Sequence, residues 1–252
     1  MSQLKTPSEE RVVVSVDEQG IAQVRLVRSE KLNALDDAMF DAILAAGDRL
    51  AAMYDLRCVV LSGEGKGFCA GLDLAMLATL AGSDLQLAER SHGSANRFQQ
   101  VAMQWRALPV PVIAAVHGVC FGGGLQIAAG ADIRVVSADA RLSVMELKWG
   151  IVPDMGHFAL WRDLVREDVL RELTWTAREF SGDMAQALGF ATHVDADPLA
   201  RAKAMASEIA ANDPAAIRAA KALFNGAADM TIEAILLAES VAQDRLLAAR
   251  RS

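Results

Sequence analysis

The chain has 252 residues, and 25 Lys plus Arg against 32 Asp plus Glu leave a formal net charge of -7. Such a balance lacks the basic footprint needed to coat nucleic acid or an anionic membrane surface. With 53% apolar and 23% charged residues the chain is expected to fold, and 5% aromatics means a core built mainly from Ala, Val, Leu, Ile and Met.

The first segment, MSQLKTPSEER, is polar and predicts no secretory signal. Val12 to Val16 and Ala22 to Val27, around the turn Asp17 to Gly20, read as a hairpin. Asp36 is placed to cap a helix whose apolar positions Met39, Phe40, Ile43, Leu44, Leu50 and Met53 recur at helical spacing. Arg57 to Leu61 reads as a strand leaving into the glycine-rich loop Ser62 to Gly71. Helical pattern resumes over Asp73 to Leu80 and from about Ser83 to Ala107. Residues 107–131 carry no formal charge over a length that could cross a bilayer, but Pro109, Pro111 and the glycines 122–124 break any such helix. They read as a strand over 112–116, a glycine turn and a helix over 124–130, with another strand over 132–136. Strands alternating with helices indicate an α/β core. After Thr192 to Val194 the pattern is helical and Ala-rich, with expected caps at Asp197, Asp213 and Thr231 and apolar stripes through Ile232, Ile235, Leu236 and Leu246.

Cys58, Cys69 and Cys120 are odd in number and lack CxxC spacing, which supports neither a disulfide framework nor a zinc site. A reducing, cytoplasmic location is the expectation. Gly63-Glu-Gly65-Lys-Gly67 misses the dinucleotide spacing by one residue, and no Ser or Thr follows Lys66 to complete a P-loop. Two glycine-containing turns, 68–73 and 117–124, each follow a strand and precede a helix, so each can aim unpaired backbone N–H groups at an oxyanion; equally, the glycines could serve only tight packing. Glu146 and Asp154 stand eight residues apart. A carboxylate in the apolar surroundings of Asp154 needs a hydrogen bond or a function, and capping a helix that begins near His157 is the plain alternative.

Taken together, Lys31-Leu-Asn-Ala-Leu35, Phe68-Cys-Ala-Gly-Leu-Asp73, Pro111 to Gly118 with Gly122-Gly-Gly124, Ala131-Asp-Ile-Arg134, Glu146, Pro153-Asp154 and Phe180-Ser-Gly182 through Ala187-Leu-Gly189 resemble the crotonase superfamily of enoyl-CoA hydratases and isomerases. The resemblance implies a crotonase-like ββα spiral core, placed at residues 1–195, and a C-terminal α-helical trimerisation region at 196–252. It implies a fatty acyl-CoA substrate, a homotrimer or dimer of trimers, and no cofactor beyond the coenzyme A of the substrate. The oxyanion donors would be the backbone N–H groups of Leu72 and Gly123. Lys31, Ala70 and Asp73 would lie along coenzyme A, and Gln126 would contact substrate.

The family's hydratases hold water between two glutamates, and here the first of those positions is Gln126, which cannot act as a general base. The Glu146 and Asp154 pair instead resembles the dienoyl-CoA isomerase branch, which carries an acid where this chain has Gln126; His157 is a second local departure. Double-bond isomerisation is therefore the expected reaction, with Asp154 and Glu146 as catalytic groups. The alternatives are hydration with Glu146 as the main acid-base group, and a noncatalytic acyl-CoA-binding scaffold.

Overall fold

A computed structural model describes residues 10–81, 84 and 86–251; the polar N-terminal stretch 1–9 lies outside them. β1 (Val12–Val16) and β2 (Ile21–Leu26) form the expected antiparallel hairpin, with Val12 opposite Leu26. The Asp17 carboxylate closes its turn by accepting the N–H groups of Gln19 and Ile21. A 3-10 turn at Ser29–Lys31 leads to α1 (Asp37–Ala51), capped as expected by the Asp36 carboxylate, which accepts the Met39 N–H at 2.8 Å. Next come β3 (Cys58–Gly63), β4 (Gly67–Cys69), α2 (Leu74–Ala81), α3 (Arg97–Ala107), β5 (Val112–Val116), β6 (Val119–Phe121), α4 (Gly123–Gly130), β7 (Ile133–Val136) and β8 (Arg141–Ser143). A second 3-10 turn, Glu146–Trp149, precedes α5 (His157–Trp161), α6 (Glu167–Thr176), β9 (Phe180–Ser181), α7 (Gly182–Leu188) and β10 (His193–Val194). The chain ends in α8 (Pro198–Ala210), α9 (Pro214–Ala227) and α10 (Ile232–Ala249).

Two sheets organise the core. One has six strands in the order β1-β2-β3-β5-β7-β10, parallel except for the opening hairpin; the other has four, β4-β6-β8-β9. In the larger sheet, alternation sends successive side chains to opposite faces. Val59 and Leu61 join the main core with Phe40 and Trp105, while Cys58 and Val60 face Ala202 and Ala206 of α8. Both faces are covered at β3 and β5, which read as nearly continuous apolar runs.

Two expectations from sequence are corrected. The segments read as a glycine-rich loop and a glycine turn contain β4 and β6, strands of three residues each, too short for alternation to show. The helix expected from about Ser83 starts later: Ser83 is outside the described residues, 86–96 is irregular apart from an isolated bridge between His92 and Ala95, and α3 begins at Arg97 behind an Asn96–Gln99 capping box. Like Ser83, residues 82 and 85 are not described.

The expected caps of the last three helices are present: Asp197, Asp213 and Thr231 accept the N–H groups of Ala200, Ala216 and Ala234. α9 is tied to the core by Lys221, whose buried ammonium donates to Trp105 O, Val110 O and Asp132 Oδ2 at 3.2, 2.7 and 2.8 Å. α10 packs mainly on α9, half-burying Ile235 and Leu246 while Ile232 and Leu236 remain 73% and 57% exposed.

Candidate active site

Three short parallel strands build the site. β4, β6 and β8 lie side by side, and their carboxyl ends deliver Ala70-Gly71-Leu72, Gly122-Gly123-Gly124 and Glu146 to one place. Clefts at the carboxyl ends of parallel strands are where ligands of α/β proteins commonly bind. Gly71 adopts φ +85°, and a Cβ there would lie 2.7 Å from Phe121 O and 3.3 Å from Gly123 N. Any side chain at 71 would therefore intrude beside the Gly123 N–H. At Gly122, with φ +50°, a Cβ would lie 3.2 Å from Glu146 Oε1.

The two expected oxyanion donors are both open. Leu35 N–H donates to Gly71 O at 2.8 Å and Asp73 N–H to Leu35 O at 3.0 Å, which leaves the Leu72 N–H between them without an acceptor among the described residues. Gly123 opens α4, so its N–H has no intrahelical partner. The glycine-rich segment is pinned by Asn33, fully buried at φ +56°, whose Nδ2 faces Glu64 O, Gly67 O and Phe68 O at 3.0, 2.9 and 3.2 Å. Within the motif Lys31 to Leu35, nothing in the sequence alone gives Asn33 a task. The available signal was the tolerance of asparagine for left-handed backbone.

Leu72, Gly123, Gln126, Glu146 and Asp154 line one cavity of about 360 Å³. The rest of its wall is apolar and includes Phe40, Leu77, Phe98, Ile151, Val152 and Met155. Phe40 and Phe98 meet edge to face at 5.0 Å. The walls suit a hydrocarbon chain and the polar groups a reaction at one end of it.

Asp154 does not cap α5; that position is Gly156, with no side-chain cap. Its carboxyl is half-buried and pushed above the usual range by burial, against the opposing pull of its own backbone N–H. Glu146, 8% exposed, is raised by burial first; hydrogen bonds, including one from Gln126, oppose this, and the negative charge of Asp154 adds to it. Gln126 Nε2 donates to Glu146 Oε1 at 2.6 Å, while Glu146 Oε2 is buried without a partner among the described residues. Gln126 Oε1 accepts the N–H groups of Met155 at 2.8 Å and His157 at 3.2 Å. The His157 ring sits against Thr174 Oγ1 at 3.1 Å, and burial pulls its pKa down to about 4, so it is neutral at pH 7.

Lys31, Ala70 and Asp73 stand outside this lining: Ala70 and Asp73 flank Gly71-Leu72, and Lys31 ends the 3-10 turn Ser29–Lys31. Lys31 is exposed, and the Ala70 N–H donates to Leu32 O at 2.9 Å. Partial burial pushes the Asp73 carboxyl up, but the Arg28 guanidinium at 2.8 Å, the Ala75 N–H and the charge of Lys31 hold it below the usual range. Arg28 also donates to Ala34 O and lies 3.4 Å from Asp36. It went unnoticed in the sequence because its partners are assembled only by the fold.

The enoyl-CoA hydratase/isomerase family profile matches residues 17–250. The mitochondrial Delta(3,5)-Delta(2,4)-dienoyl-CoA isomerase of Dictyostelium discoideum is 31% identical over 84% of this chain and 75% of its own length. Among solved structures, an enoyl-CoA hydratase of Mycobacterium smegmatis superposes with TM-score 0.82 at 30% identity, covering 94% of this chain and 91% of that one. A Thermobifida fusca YX chain solved in complex with CoA gives TM-score 0.83 at 27% identity, over 97% and 96%. With its crotonase fold and with this match over nearly its whole length, the chain belongs to the enoyl-CoA hydratase/isomerase family.

Proposed function

We propose that this protein isomerises the double bonds of a fatty dienoyl-CoA, moving a proton between Asp154 and Glu146 across an enolate held by the Leu72 and Gly123 N–H groups. The observation that carries the reading is the pair of carboxyls in one apolar cavity beside two open backbone donors. Burial raises both carboxyls, and the charge of Asp154 raises the more deeply buried Glu146 further, so the reading gives the role of base to Asp154 and that of acid to Glu146. Asp154 takes the proton from the carbon next to the thioester, negative charge develops on the thioester oxygen, and Glu146 gives its proton to the far carbon of the conjugated chain. One proton enters the enzyme and one leaves, so atoms balance without a cofactor. The dienoyl-CoA isomerase relative supports this assignment.

Hydration, with Glu146 as principal acid-base group, is the second reading, favoured by the likeness to a hydratase structure. Against it stands Gln126, whose carbonyl already accepts two backbone N–H groups and has no lone pair left for water. Incubation with 3,5-dienoyl-CoA and with 2-enoyl-CoA decides. An ultraviolet shift without change of mass supports isomerisation, gain of one water supports hydration, and binding without turnover supports a scaffold.

The same proposal places coenzyme A along Lys31, Ala70 and Asp73, with Lys31 facing a phosphate. It also assigns residues 1–195 to the acyl-CoA-binding core and 196–252 to assembly as a homotrimer or dimer of trimers. Apolar side chains left uncovered on α10, among them Ile232, Leu236 and Leu237, support the assembly. α8 also belongs to the wall of the core, since Ala202 and Ala206 are fully buried against the larger sheet. Three free buried cysteines suit the proposed cytoplasmic location, and no helix among the described residues is long and apolar enough to cross a membrane.

A further inference from the structure

The orientation of the Gln126 amide is forced by its neighbours. The N–H groups of Met155 and His157 can only donate, so the atom facing them is the carbonyl oxygen and the atom facing Glu146 is the nitrogen. One buried side chain thereby joins the turn that carries Glu146 to the segment 154–157 that carries Asp154. An ionised carboxylate here could accept both backbone N–H groups but could not donate to Glu146. An apolar side chain could do neither. Because the amide donates to Oε1, that oxygen is committed as an acceptor and a proton on Glu146 resides on Oε2, the atom with no partner among the described residues.

We propose that Gln126 is a positioning residue that assigns the transferable proton of Glu146 to Oε2 and holds the Asp154 segment in register with it. The proposal rests on the isomerase reading for the role of Glu146 as acid; the hydrogen-bond geometry does not. Without the amide, the Glu146 proton is free to choose either oxygen, and the carboxylate loses a donor that favours its ionised form. The charged group acting on Glu146 is Asp154, and the nearby His157 ring, buried against Thr174, is neutral.

The test uses Gln126→Met, which keeps length and removes donor and acceptor, and Gln126→Glu, which keeps shape. Glu146 is titrated in the free protein by the infrared band or the carbon-13 signal of its carboxyl, assigned with Glu146→Gln. The expected result for Gln126→Met is a shift of that titration to higher pH, a kcat on 3,5-dienoyl-CoA lower by roughly 10²-fold with KM little changed, and a basic limb of kcat/KM displaced upward. Gln126→Glu is expected to recover activity at low pH, where the introduced carboxyl is protonated and can donate, and to lose it as pH rises. If Gln126→Met does not fold, the Gln126→Glu titration and pH profile decide alone. An unmoved Glu146 titration in a folded variant overturns the proposal, whether or not activity falls, because the amide then merely fills space. A shifted titration in a protein that turns over no dienoyl-CoA upholds Gln126 and defeats the isomerase reading instead.

Discussion

The two sheets divide the labour of this fold. In the six-stranded sheet, β3, β5 and β7, of four to six residues, are buried on both faces, by α8 on one side and by the main core on the other. In the four-stranded sheet, β4, β6 and β8 have three residues each, and what matters is where they stop. Long, doubly covered strands supply cohesion; short parallel strands, ending together, supply aim. Changes to the second sheet's exits should therefore remove activity with little loss of fold, and changes to anchors of the first should do the reverse.

The largest expected effect is at the carboxyls. Asp154→Asn keeps shape and removes the proton acceptor, so isomerisation should fall by roughly 10²- to 10⁴-fold, and Glu146→Gln should do comparable damage. Full activity in Asp154→Asn alongside a dead Glu146→Gln would leave one acid-base group and point to hydration. Next comes Gly71→Ala. Its methyl group would press on Phe121 O and stand beside the Gly123 N–H, in a backbone conformation that L side chains resist. A loss of about 10²- to 10³-fold in kcat is expected, the usual consequence of spoiling one oxyanion donor. Circular dichroism should show the fold retained. A fully active Gly71→Ala enzyme would mean the hole is elsewhere.

On the other side of the comparison, Lys221→Met strips three hydrogen bonds from the anchor of α9 and leaves Asp132 without its ammonium partner, holding only the Val112 N–H. The cost should be about 3 kcal/mol of unfolding free energy by denaturant titration, as for other broken buried pairs. Catalytic constants measured well below the unfolding transition should be nearly unchanged. If kcat falls in step with stability, the two sheets are not separable.

The smallest effect is electrostatic. Burial depresses the folded pKa of His157 to about 4 from 6.5, so between these values the unfolded chain binds the extra proton and stability falls as pH falls. From pH 6.5 to 5.5 the loss should be about 1 kcal/mol. Glu146 and Asp154 act with the opposite sign, since their raised pKa values favour the folded state at low pH. Comparing wild type with His157→Asn across that interval isolates the histidine. An unchanged difference in melting temperature would show that the ring is not shielded.

How much of this could be read in advance follows the same division. The hairpin, the Asp36 cap and the strands expected at 57–61, observed as Cys58–Gly63, and at 112–116 were legible because their signals are local: alternation, a turn carboxylate, a run of β-branched residues. β4, β6 and β8 were not, since three residues carry no period. Leu72, Gly123, Glu146 and Asp154 were singled out from motif and spacing, and the fold brings them to one cavity. The contacts of Gln126 could not be foreseen, because its partners lie 20, 29 and 31 residues away. The capping alternative for Asp154 failed for a local reason: Gly156, in left-handed backbone, takes that position.

One feature of the C-terminal helices bears on how the protein would behave in deuterium. α10 has no buried residue and meets the rest of the described chain mainly through α9, whereas α9 is fastened to the core by Lys221. In a dissociated chain the amide protons of α10 should exchange through opening of that helix alone, at a cost well below that of global unfolding, with protection rising at α9. Association over the uncovered apolar side chains would slow that exchange without touching the cavity. The deuterium uptake of residues 232–249, followed against protein concentration, is thus a gauge of assembly that needs neither substrate nor turnover.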